Sequence, residues 1–255
     1  MTAPELTVGV GDDHVATLEI DRPPSNYFSA DLIRQIADAC EELAGGDCRA
    51  IVLCSAGKVF CAGADFSTDN VLGSPGGAPT LYEEAGRLFD QPLPIVAAVQ
   101  GAAIGGGLGL ALAADFRVAS PEARFAANFA LIGIHQGFAL SITLPAAIGQ
   151  QQALDLLYSG RRINGEEAHA IGLADRLTAS GEARAGAHAL AAEIAASAPL
   201  AVRSIRTTMR EGLGDRARAA MVRELAEQQR LMQTEDWQEG LAAVQDRRRA
   251  NFAAR

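Results

Sequence analysis

Residues 14 to 20 alternate apolar and polar side chains, with Ala16, Leu18 and Ile20 on one face and Thr17 and Glu19 on the other, which predicts a half-buried strand. Asp21 to Pro24 ends it. Ser29 can cap a following helix whose Leu32, Ile36, Cys40 and Leu43 fall on one stripe, and Gly45-Gly46 stops that helix. Ala50 to Cys54 is apolar throughout, as in a strand covered on both faces of a parallel sheet. Ser67 to Pro79, rich in glycine and proline, reads as a mobile loop. Thr80 and Glu83 then have the spacing of a capping box for a helix to about Asp90. Past Pro94 come a second buried strand, Ile95 to Val99, a glycine turn and a small-residue helix to Ala114. Strand, crossover and strand recur, the signature of an α/β chain.

Beyond Phe125 helical patterns take over. Asn164 can cap Gly165 to Ile171, with Gly172 as the stop. From Ala198 onward Ala, Leu, Arg, Glu and Gln dominate, which predicts helix almost to the end, with the basic Arg247 to Arg249 fraying. The expected organisation is an α/β core over 1–198 and a helical region over 199–255, divided at Pro199.

Composition narrows the function. Of 255 residues 49% are hydrophobic and 21% charged, as in a soluble globular protein. The net charge of −9 argues against nucleic acid or an anionic membrane as partner. Cys40, Cys48, Cys54 and Cys61 form no C-x-x-C pair, and the four histidines have no ligand-like spacing, so neither a metal site nor disulfides are expected. No secretory signal or membrane span is legible, and a reducing, cytoplasmic setting is the expectation.

Candidate chemistry lies in two glycine turns after buried strands, Phe60 to Asp65 and Gly101 to Gly107. Ligands of open α/β sheets gather beyond strand C-termini, so both turns suit one site. Glycine lets backbone approach a ligand closely, and N–H groups opening the helix after Gly105 are donors suited to an oxyanion. The same glycines would also serve tight turns and helix packing alone. Other motifs fail on spacing: G-x-G-x-x-G from Gly105 meets Leu110, Gly57-Lys58 is followed by Val59, and no G-x-S-x-G occurs.

The ordered segments Asp21-Arg22-Pro23 with Asn26, Ala50 to Leu53, Lys58 to Asp65, Pro94 to Gly101, Gly105-Gly106-Gly107, Ala114 to Arg117 and Gly165 to Leu173 resemble the crotonase (enoyl-CoA hydratase/isomerase) superfamily over nearly the whole chain. The resemblance implies a spiral core of ββα repeats, a helical C-terminal region for oligomerisation and pocket cover, and a homotrimer or a hexamer of paired trimers. It implies an acyl-CoA thioester as partner, with coenzyme A entering as part of the substrate and no permanently bound cofactor, and a place in fatty acid metabolism. The backbone N–H groups of Ala64 and Gly106 are the implied oxyanion hole. Arg22, Asn26, Ala62, Asp65 and Phe66 are the implied contacts to coenzyme A, although Asp65 could equally cap the backbone that follows it.

Carried onto this chain, the two glutamates of the family's hydratases fall on Gly109 and Phe129, and neither can move a proton. Between Asp115 and Asp155 the only carboxylate is Glu122, so a small shift of alignment restores nothing. His135 is the candidate substitute base, with a plain structural role as its alternative. Glu83, Glu84, Tyr82 and Ser141 are weaker candidates. Phe66, Leu72, Phe129, Phe138 and the Met221/Leu225 stripe can line an acyl pocket or simply fill the core. Isomerase, lyase or decarboxylase chemistry through an enolate is therefore expected in preference to hydration. A non-catalytic acyl-CoA binding protein and a Cys61 or Ser141 hydrolase are the alternatives.

Overall fold

The structure is a computed structural model describing residues 5–64 and 77–255. In chain order the elements are β1 (Leu6–Val10), β2 (Val15–Ile20), α1 (Ala30–Ala44), β3 (Ala50–Ser55), β4 (Val59–Cys61), α2 (Gly77–Leu88), β5 (Ile95–Val99), β6 (Ala102–Ile104), α3 (Gly106–Ala113), β7 (Phe116–Ala119) and β8 (Arg124–Ala126). After a 3-10 turn at Asn128–Ile132 follow α4 (Leu140–Ile148), α5 (Gln150–Ser159), β9 (Ile163–Asn164), α6 (Gly165–Ala170), β10 (Arg176–Leu177), α7 (Ala183–Ala195), α8 (Pro199–Met209), α9 (Leu213–Leu231) and α10 (Glu235–Gln245).

Two sheets share these strands. One has the order β1-β2-β3-β5-β7-β10, the other β4-β6-β8-β9. Successive strands alternate between them, so β3 and β4, β5 and β6, and β7 and β8 each form a ββ step before the chain turns helical. That alternation is the expected spiral of ββα repeats. The short strands β4, β6 and β8 escape a reading of the sequence because three residues are too few for alternation to register. In the large sheet, Ile51 and Leu53 belong to the main core, whereas Val52 and Cys54 pack with Val96, Val118 and the Ala187, Leu190 and Ala191 side of α7. Cover on both faces is why β3 and β5 are apolar throughout.

The helix signals have mixed outcomes. Ser29 accepts from Leu32 N, and Asn164 from Glu167 N, as their cap spacing predicts. Among the described residues Thr80 caps no helix start, because α2 already begins at Gly77, and Glu83 is exposed. The rest of the expected loop before it lies outside the described residues. Nor does the basic C-terminus fray: Arg248 pairs with Glu239, while Asp236 accepts from the N–H groups of Ala253 and Ala254. Asp115 explains the Ala114–Arg117 segment. It accepts from Ile95 N and pairs with Arg206 at 3.0 Å and Arg210 at 2.8 Å, tying α8 to the core, while buried Arg117 pairs with Asp175.

Candidate active site

Three parallel neighbours of the small sheet aim their C-terminal ends at one place. β4 pairs with β6 (Cys61 opposite Ala103), and β6 with β8 (Ile104 opposite Ala126). The chain leaving β4 is Ala62 to Ala64, that leaving β6 is Gly105-Gly106, and that leaving β8 is Ala127 to Phe129. The two glycine turns thus sit side by side because their strands do. They line a cavity of about 80 Å³ with Phe28, Ile104, Asn128, Phe129, Phe138 and Tyr82 among its walls.

Close packing explains the glycines. Gly63 (φ 96°) and Gly105 (φ 57°) hold left-handed backbone. A methyl group on Gly63 would lie 2.9 Å from Ile104 O and 3.5 Å from Gly106 N, so the first turn presses on the start of α3. On Gly107 it would lie 2.0 Å from Cys61 O, and on Gly106 2.5 Å from the Phe28 ring. Phe28 N in turn donates to Gly63 O, fixing the strand-like pairing of Phe28 with Ala64. Among the described residues no carbonyl accepts from Ala64 N or Gly106 N. Gly106 opens α3, where helical N–H groups have no internal partner and the dipole is positive. Two unpaired donors beside an apolar cavity suit negative charge developing on an oxygen.

The side chains around the cavity carry no ionisable carboxylate, imidazole or amine among the described residues. Gly109 faces Phe138, and a methyl group on Gly109 would sit 2.5 Å from Phe138 Cβ. Phe138 therefore fills the space that a longer side chain at Gly109 would need. It is 1% exposed, packs on Phe28 with ring centroids 5.4 Å apart, and sits with Ala139 in left-handed conformation (φ 59° each). Helix α9 holds this turn. Glu224, fully buried, accepts from Ala139 N at 2.8 Å and Ser141 N at 2.9 Å, so it caps α4 from a distant helix. Burial raises the Glu224 carboxyl above its ordinary range, partly opposed by hydrogen bonds from Ser141 and Ala139. One turn later Gln228 donates to His135 O and accepts from the Tyr82 hydroxyl at 2.8 Å, and burial pushes that phenol well up.

The other expected site residues divide by location. Ala62, Ala64 and Gly106 line the cavity. His135 does not; it is half-buried in a separate cavity of about 420 Å³, with Nδ1 2.8 Å from Gln136 O. Ser141 lies in that second cavity too, where its hydroxyl accepts from Gln136. Asn26 is 1% exposed, accepts from Arg22 N and donates to Ala56 O and Val59 O, so its side chain shapes the turn from inside. Arg22 donates to Tyr27 O and pairs with Glu5. Cys61 is fully buried with its thiol pushed up to about 12 by desolvation, unfit to act as a nucleophile. Met221 is core, not cavity wall. Glu84 pairs with Arg87. Asp65, Phe66 and Leu72 lie outside the described residues. Glu224 and Gln228 went unnoticed in the sequence, yet they share a helical face with Ala217 and Met221; two polar residues on a buried stripe were the available signal.

The chain matches the family described as enoyl-CoA hydratase/isomerase over residues 11–255. It is 34% identical over 253 residues to YngF of Bacillus subtilis, named as an enoyl-CoA hydratase/isomerase, covering 95% of this chain and 96% of that one. A crystal structure of an enoyl-CoA hydratase/isomerase from Pseudoalteromonas atlantica superposes with a TM-score of 0.88 at 30% identity, covering 98% and 100% of the two chains. An enoyl-CoA hydratase from Mycobacterium avium superposes with a TM-score of 0.84 at 29% identity, covering 99% and 100%.

Proposed function

The chain belongs to the enoyl-CoA hydratase/isomerase family, and from that premise we propose that it binds an acyl-CoA thioester between its two glycine turns and stabilises the thioester enolate through the N–H groups of Ala64 and Gly106. The observation that carries this reading is a pair of backbone N–H groups at the ends of neighbouring strands, beside an apolar cavity, from which no carbonyl among the described residues accepts. A cavity whose described walls carry no carboxylate supports chemistry that needs no glutamate pair: isomerisation, C–C cleavage or decarboxylation. Of these, decarboxylation asks least of side chains. The C–CO2 bond breaks, its electron pair passes into the enolate, and CO2 leaves without any proton being abstracted. Exposed Leu200, Ile205 and Met209 on α8 support assembly into the family's trimers, and a cytoplasmic setting accords with four reduced cysteines.

A panel of CoA thioesters tests the reaction class. Turnover of a malonyl-type thioester with slow hydration of crotonyl-CoA is the expected pattern, and rapid crotonyl-CoA hydration would refute it. Hydration is the second reading, favoured by the names of the relatives. Tight binding without turnover of any member would leave an acyl-CoA binding protein. The donor itself is tested by comparing Gly106→Pro with Gly106→Ala. Both add the same carbon against Phe28, but only proline removes the N–H, at a first helical position where proline is otherwise accepted. Proline should cost a further ~10²–10³ in rate relative to alanine. Equal rates would remove Gly106 from the oxyanion hole.

A further inference from the structure

The acyl cavity and the second cavity share one side chain. Among the described residues Phe129 is the single one that lines both, and it is 8% exposed. On the near side its ring closes on the glycine turn, with Cζ 3.6 Å from where a methyl group on Gly105 would sit. On the far side lies the chamber of about 420 Å³, whose wall mixes Leu154, Leu157 and Leu231 with the polar His135, Gln136 and Ser141. The near cavity, at about 80 Å³, is little more than half the roughly 150 Å³ that accommodates a benzene ring in an apolar protein interior. Such a volume favours a short acyl group, and among the described residues Phe129 stands between it and the larger chamber.

We propose that Phe129 is a specificity-determining residue that sets acyl length, favouring short-chain acyl-CoA thioesters by separating the cavity at the glycine turns from the partly apolar chamber on its far side. The inference rests on the reading of the site as an acyl-CoA site. A benzyl group suits the task because it fills the passage from the 3-10 turn Asn128–Ile132, a segment held by Gly133 N donating to Ala130 O and Ile134 N to Phe129 O. The residue at the position where hydratases carry an acid or base thus has a steric part in this chain.

Calorimetric binding of butyryl-, hexanoyl-, octanoyl- and decanoyl-CoA to the purified full chain tests this. The unaltered protein should bind butyryl-CoA most tightly and lose affinity from hexanoyl-CoA onward. Phe129→Ala should raise the octanoyl-to-butyryl affinity ratio about tenfold or more, as methylene discrimination in apolar pockets allows. Adding Leu157→Trp, which refills the rear chamber, should reverse that gain. Octanoyl-CoA bound by the unaltered protein as tightly as butyryl-CoA would overturn the proposal without needing any variant. A folded Phe129→Ala protein with an unchanged ratio would do so too. Failure of every thioester to bind, free coenzyme A included, would instead overturn the acyl-CoA reading on which the proposal stands.

Discussion

Replacing Gly109 by alanine probes the wall of the site directly. The added carbon would lie 2.5 Å from Phe138 Cβ, 2.9 Å from Cγ and 3.0 Å from Cδ1, distances that demand movement of an anchored aromatic. Overpacking of this kind costs about 1–3 kcal/mol. It is opposed by the gain of about 1 kcal/mol from removing a glycine inside a helix, here α3. A net loss of about 0–2 kcal/mol is therefore expected. Truncating Phe138 to alanine would leave its Cβ, the nearest atom, in place, so the informative partner is Phe138→Gly. Glycine also accepts the left-handed backbone at 138 without the Cβ penalty. Phe138→Gly alone should cost about 3–5 kcal/mol in lost burial, less what relief of the left-handed backbone returns. In that background Gly109→Ala has nothing to strike and should stabilise by about 1 kcal/mol. Urea denaturation of the four proteins at one fixed concentration then gives a coupling of about 1–3 kcal/mol. Effects additive to within about 0.5 kcal/mol would refute the placement of Phe138 against Gly109. The same geometry bears on any attempt to restore a glutamate at 109, which has no room while Phe138 remains.

Glu224→Gln should destabilise the fold by about 2–3 kcal/mol at neutral pH, measured by denaturant unfolding, because its amide turns a donor toward N–H groups that need acceptors. Burial raises the Glu224 pKa above its ordinary 4.5, so any stability linked to its protonation is fully present below that value and lost as pH rises through the folded value. The advantage of the natural protein over Glu224→Gln should accordingly shrink as pH climbs from about 4.5, and a difference that grows with pH would contradict the assignment. All four cysteines are buried, and burial raises their thiols, to about 12 for Cys40 and Cys61 and about 11 for Cys54. A thiol reagent at mild alkaline pH should therefore modify the folded protein slowly and all four sites rapidly in denaturant; one fast-reacting thiol in the folded state would count against the described core.

Much of the scaffold is legible in the chain because its signals are local. The alternation around Leu18, the unbroken apolar runs of β3 and β5, and the caps at Ser29 and Asn164 each depend on residues a few positions apart. The site is legible only in part. Its glycines mark the turns, but the strands β4, β6 and β8 that align those turns are set by pairing between segments more than 20 residues apart. Phe138 against Gly109, and Glu224 capping a helix through N–H groups 83 and 85 positions earlier in the chain, are contacts that no periodicity encodes. The Thr80–Glu83 pair shows the converse: local spacing was right for a cap, and the helix started upstream.

Glu224 and Gln228 give the C-terminal helix α9 a hold on backbone that borders the cavity. During synthesis the glycine turns and their strands leave the ribosome first, yet the left-handed turn at Phe138-Ala139 gains its anchor only once residues beyond 224 have emerged. At roughly 5–20 residues per second, the interval from Phe138 to Gln228 lasts several seconds. Through that interval the nascent chain holds its two glycine turns without a finished wall around them. The order of emergence thus postpones a finished wall around the cavity until α9 has emerged.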